Sequence, residues 1–165
     1  MNRNIASGIN EVRFSEWFAV NLHQAYRAWT DPANIEQWFG PVGYIAEVLE
    51  MEVRVGGRWR FKMSSQSGAS SHHKGRYVSV VPNEFLSFTW ESEEDKELTG
   101  DKETLVSVWF EPVRGGVQIT LVHQKLPNRS AALSLHHGWS SGFRKLDEAL
   151  QIADEKQEII CVKPN

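Results

Sequence analysis

The chain has 165 residues, 41% hydrophobic and 24% charged, a size and balance that predict one globular domain. A net charge of −3 with scattered Lys and Arg argues against a nucleic-acid partner. No apolar run approaches the roughly 18–20 residues that cross a bilayer, and Met1–Gly8 lacks the hydrophobic stretch of a secretory signal. The single Cys161 excludes an internal disulfide and reads as a bland thiol; together these features predict a cytoplasmic protein.

Residues 9–20 alternate, with Val12, Phe14, Phe18 and Val20 on one side and Arg13, Ser15 and Trp17 on the other, which predicts a first strand. From Leu22 the period changes to that of a helix through Ala25, Tyr26 and Trp29. Asp31-Pro32 ends this helix and starts a second, because Asp caps and Pro fits the first turn; it carries Ile35, Trp38 and Phe39 and stops at Gly40-Pro41. A second strand over 44–54 sets Ile45, Leu49, Met51 and Val53 against polar neighbours.

After Gly56-Gly57, Trp59, Phe61 and Met63 share the inner face of a strand over 58–63, and Arg58, Arg60 and Lys62 the outer. A Ser/Gly-rich loop, Ser64 to Ser71, leads to a strand over 72–81 with His72-His73 as an exposed start. Pro82-Asn83 turns into 84–91, where Leu86, Phe88 and Trp90 share a face. An acidic loop, Ser92 to Lys102, precedes strands 104–111 and 116–124, joined around Gly115-Gly116 as a hairpin. A long helix from about Ser130 to Asp154 closes the chain, with Leu135, Trp139, Leu146, Leu150 and Ala153 as its apolar stripe. Gly138 and Gly142 lie four apart on it. Each costs about 1 kcal/mol against Ala, which predicts a steric need for close backbone approach.

The order is α+β, β-α-α-β6-α, with a curved antiparallel sheet of about seven strands wrapped around the last helix. The core is expected over about 9–153, with 1–8 and 155–165 as flexible tails.

Four segments carry a family resemblance: Ala25–Pro32 with Trp38-Phe39-Gly40-Pro41; Gly56-Gly57-Arg58-Trp59-Arg60-Phe61; Gly75-Arg76-Tyr77-Val78 leading to Val81-Pro82; and Gly138-Trp139 before Leu146. In these the chain resembles the START-like, or SRPBCC, superfamily with its helix-grip fold, and within it the group named for the activator of the heat-shock chaperone ATPase, carboxyl-terminal-domain type. The resemblance implies a cavity between sheet and long helix, often used for apolar small molecules such as lipids, and implies no reaction, because the fold serves carriers, receptors, cyclases and chaperone-binding domains alike. The eukaryotic activators carry a separate amino-terminal domain, for which 165 residues leave no room, so chaperone activation is in doubt while partner binding is not.

Two readings stand for the inner aromatics. They fill a core, or Trp59, Phe61, Met63, Phe88, Trp90 and Trp139 wall a ligand site with Tyr77 and His123 as polar anchors. An empty dry void of about 300 Å³ would cost about 7 kcal/mol out of a total stability of about 5–15 kcal/mol. The cavity is therefore expected to be collapsed, wet or occupied.

His123 ends a strand whose Val117, Ile119 and Leu121 point the same way, so its ring is expected near the inner face, held by a backbone group or anchoring a ligand. His136 and His137 diverge by about 100° on a helix, and no ligand spacing supports a metal. No phosphate cradle or other cofactor motif occurs, so neither metal nor cofactor is expected. Three functions follow: a binding domain for an apolar or amphipathic small molecule; a protein-interaction module of the chaperone-activator type, using Glu91, Glu93, Glu94, Asp95 and Glu97 and the Arg58-Arg60-Lys62 row; or a cyclase- or hydrolase-like enzyme with His123, Tyr77 or Glu16 as acid/base. Oligomeric state is not legible.

Overall fold

The computed structural model describes residues 10–161, with side chains described to 156. The elements are β1 (Val12–Phe18), α1 (Leu22–Thr30), α2 (Pro32–Trp38), β2 (Tyr44–Met51), β3 (Arg58–Ser65), β4 (Ser70–Val81), β5 (Phe85–Ser92), α3 (Lys96–Thr99), β6 (Thr104–Val113), β7 (Gly116–Gln124) and α4 (Arg129–Cys161). The expected 1–8 tail lies outside the described residues, whereas α4 runs on to Cys161, seven residues past its predicted end.

All seven strands form one antiparallel sheet in the order β1-β7-β6-β5-β4-β3-β2. The strands adjacent in sequence at the start, β1 and β2, are thus the two edges, and α1–α2 carry the chain from one to the other. Their caps explain the crossing. Asn21 and Gln24 form a reciprocal capping box at α1, with Gln24 N–H donating to Asn21 Oδ1 at 2.8 Å. Asp31 ends α1 and accepts from Ala33 N–H at 3.0 Å to begin α2, with Pro32 in its first turn.

The core lies between the concave face of the sheet and α4, which buries Leu135, Trp139, Phe143, Leu146 and Leu150. Phe143 completes the predicted stripe, stacking on Phe14 of β1 with ring centroids 5.6 Å apart, while Ala153 is exposed, at a groove lined by α1 and α2.

One face was misread from the sequence. Ile45 is 71% exposed and Leu49 is exposed too, although Met51 and Val53 do pack on the core. A register shift between Val48 and Glu50 inserts Leu49 as an extra residue: Ala46 and Val48 sit opposite Met63 and Phe61, and beyond the bulge Met51 sits opposite Trp59. One extra residue exchanges the two faces of a strand.

The acidic segment holds a short helix, α3, rather than only loop, and is not free. Arg60 of β3 donates two hydrogen bonds to Glu93, both at 2.9 Å, and Lys74 and Lys96 lie within 4 Å of Glu91. The cationic row and the acidic segment, two separate contact surfaces in the sequence reading, thus meet through Arg60 and Glu93.

Candidate functional site

Three strands, β3, β4 and β5, present inner side chains to α4 and the α2–β2 turn, and two spaces lie among them. The inner one, bounded by Trp29, Ile35, Phe39, Trp59, Phe61, Tyr77 and Phe88, holds only about 10 Å³. The outer one holds about 100 Å³ and is walled by Phe39, Met63, His73, Trp90, Leu98, Leu135 and Trp139, with Gly40, Gly138 and Gly142 on its rim. Of the expected site residues, Met63, Trp90 and Trp139 meet at the outer space. Trp59, Phe61, Tyr77 and Phe88 meet at the inner one, and His123 lines neither. Of the three fates argued for a 300 Å³ void, collapse accounts for most of the interior: rings fill it, with Trp59 tilted against Phe61 at 4.8 Å and edge to face with Phe88 at 5.7 Å.

The outer walls are fixed by two imidazoles. His123 is wholly buried, and its Nδ1 accepts from Trp139 Nε1–H at 3.1 Å. Its Nε2 therefore carries the proton and donates to Thr104 Oγ1 at 2.8 Å, and Thr104 donates onward to the Trp90 carbonyl at 2.7 Å. Both ring nitrogens are engaged by side chains rather than by a backbone group.

His73 makes the same arrangement. Its Nδ1 accepts from Trp90 Nε1–H at 3.0 Å, and Nε2–H donates to Ser71 Oγ at 3.1 Å. Burial pushes the His73 imidazole down to about 4 and that of His123 to about 3, so both are neutral near pH 7.

The expectation of an exposed His72-His73 start is thus overturned for His73, which is buried opposite Phe61. The strand begins at Ser70, two residues earlier than expected, which moves His73 inside the sheet. Its shared parity with Gly75 and Tyr77 was the signal that marks it as inward. His72 instead meets Glu94 at the surface, Nδ1 to Oε1 at 2.5 Å.

The α2–β2 turn forms the lip. Lys145 of α4 directs its ammonium at four carbonyl oxygens, those of Phe39, Gly40, Pro41 and Tyr44, at 3.1–3.5 Å. One turn earlier Ser141 Oγ accepts from Val42 N–H at 2.6 Å. A lysine thus serves as the counter-ion of a carbonyl-lined turn, and its partial burial lowers its pKa.

The glycines do not answer the steric need read from the sequence. A Cβ on Gly138 would meet nothing within 4 Å, and one on Gly142 would reach Gly40 O only at 3.8 Å. They keep the rim of the outer cavity bare.

Acid–base chemistry is poorly served. His123, Val106, Phe88 and Tyr77 form one cross-strand row, which puts the His123 and Tyr77 backbones three strand spacings, about 14 Å, apart. Burial raises the Tyr77 phenol above its ordinary pKa, and Glu16 is exposed. Among the described residues one group, His72, Glu93 and Glu94, has metal-ligand atoms within reach of each other, and all three already bind one another or Arg60.

Among the described residues no helix is long and apolar enough to cross a membrane. The fold is shared with known structures. A Chromobacterium violaceum protein superposes with a TM-score of 0.79 at 23% identity over 86% of this chain and 96% of that one. The AHSA1 protein of Silicibacter pomeroyi gives 0.77 at 27% identity over 87% and 99%, and a Staphylococcus epidermidis protein 0.76 at 20% over 92% and 95%. Comparison with curated proteins finds no match. The family described as Activator of Hsp90 ATPase homolog 1-like protein matches residues 19–151, and with the START-like helix-grip architecture around α4 this places the chain in that family.

Proposed function

We propose that this domain holds an apolar or amphipathic small molecule between α4 and the inner face of the sheet. Met63, Trp90 and Trp139 form the walls, Trp59, Phe61, Tyr77 and Phe88 the deep end, and His73 and His123 fix the two indoles. The observation that carries the reading is the apolar outer cavity of about 100 Å³, which opens beside two glycines that no packing contact requires. A dry apolar cavity of about 150 Å³ takes up benzene, so this space of about 100 Å³ accepts a short alkyl group as it stands and a ring once it widens. A larger ligand, in a pocket of about 300–1,000 Å³, needs α3, which brings Leu98 to the wall, or the Phe39 ring to move.

The family's name brings a chaperone partner as the alternative. Of the charged surfaces that would serve it, Arg60 and Glu93 are already tied to each other, and the apolar cavity is what favours the ligand reading.

Native mass spectrometry of gently purified protein, before and after denaturation, tests the proposal together with titration of tryptophan emission by apolar ligands. A discrete mass lost on denaturation, or saturable quenching that Gly138→Leu abolishes, is expected. A bare polypeptide with no saturable quenching by any of the ligands overturns it.

A further inference from the structure

The two spaces are separated by one ring. Phe39 bounds both, meeting Phe61 on the inner side at 5.0 Å and Trp90 and Trp139 on the outer side at 5.5 and 6.2 Å. The turn that follows it is pinned to α4 through Lys145 and Ser141, so the backbone is held and the ring is the part left to turn.

A residue that bounds the inner space also has an unmet polar demand. Of the five buried tryptophans, Trp38 donates to Ala28 O, Trp59 to Thr89 O, Trp90 to His73 and Trp139 to His123. Trp29, which bounds the inner space, is the exception: its Nε1–H meets no acceptor among the described residues. A buried donor without an acceptor carries a free-energy cost that a bound acceptor removes. No Asp, Glu, Lys or Arg lines either space, so nothing there would neutralise a charged ligand.

We propose that Phe39 is a gate between the outer cavity and an inner subsite, and that the subsite takes an uncharged, mainly apolar molecule whose carbonyl or ether oxygen accepts from Trp29 Nε1–H. This rests on the ligand reading above and adds the ligand's chemical class and depth. Turning the Phe39 ring joins the two spaces into one channel that runs from the glycine rim to Trp29.

The test compares acetophenone with α-methylstyrene, which differ in a C=O against a C=CH₂ on the same skeleton. The indole N–H resonances of the isotopically labelled full chain are followed during titration, with Trp29 assigned through Trp29→Phe. Both probes are expected to bind wild type, with the ketone about fivefold tighter, the gain of one neutral hydrogen bond. Only the ketone moves the Trp29 resonance downfield, its advantage vanishes in Trp29→Phe, and its exchange accelerates in Phe39→Leu. Equal affinities with an unmoved Trp29 resonance overturn the subsite and leave the outer-cavity reading standing. Failure of both probes to bind overturns both. Should Trp29→Phe not fold, the paired titration of wild type, with its single downfield indole resonance, still decides.

Discussion

Acidification tests the buried imidazoles most directly. His73 and His123 have native pKa values of about 4 and about 3 against an ordinary 6.5, so the unfolded chain binds more protons than the native one between those values. Stability from these groups is complete above about pH 6.5 and is lost as pH falls towards 4, a loss that runs with pH at about 1.4 kcal/mol per unit for each proton taken up. From about pH 6.5 to 4 that is about 3 kcal/mol per histidine and about 6 kcal/mol for the pair, against a typical total of about 5–15 kcal/mol.

Urea unfolding followed by tryptophan emission at a series of pH values measures the slope. Between about pH 6 and 5 it should approach about 2–3 kcal/mol per unit. His73→Asn and His123→Asn keep an oxygen near the Nδ1 position to accept from Trp90 or Trp139, and remove the titration. Each should flatten the slope by about 1.4 kcal/mol per unit while costing some stability at neutral pH. A slope the same in wild type and both variants would refute the argument, because it would mean that both rings take up protons equally in the folded and unfolded chain.

Gly138→Ala should raise stability by about 1 kcal/mol, the helix-propensity difference, since its Cβ meets no atom within 4 Å; urea midpoints check this. Gly75→Ala should do the opposite. Its Cβ would fall 1.9 Å from Thr89 O and 2.7 Å from Trp59 Nε1, so a loss at or above the roughly 3 kcal/mol upper range of overpacking is expected, seen as a sharply lower melting temperature or insoluble expression. Lys145→Met leaves four carbonyl oxygens without their ammonium and should cost about 2 kcal/mol, typical of hydrogen bonds to a charged group, with faster amide exchange in Val42 and Tyr44 as the local sign. Glu93→Gln should change stability by less than about 1 kcal/mol, because the pair it breaks with Arg60 is partly exposed; the difference should shrink further in high salt.

The strand and helix order, the cap at Asp31 and the inward set Trp59, Phe61, Met63 were determined by the sequence itself. Each rests on local rules: alternation of period two, helical spacing, and side chains that satisfy the first turn of a helix. What failed were features set by neighbours distant in the chain. Leu49 is outside because a bulge against β3 shifts β2, and a single added residue leaves no mark in a hydrophobic pattern. His73 is inside because Trp90 supplies a donor seventeen residues on, and Arg60 is tied to Glu93 thirty-three residues away.

Tertiary packing alone decided the site. Residue types named large inward aromatics, but whether rings leave about 10 or about 100 Å³ depends on sub-ångström differences in how they meet. The same packing left Trp29, alone among the buried indoles, without an acceptor among the described residues, which no reading of composition or period can reveal.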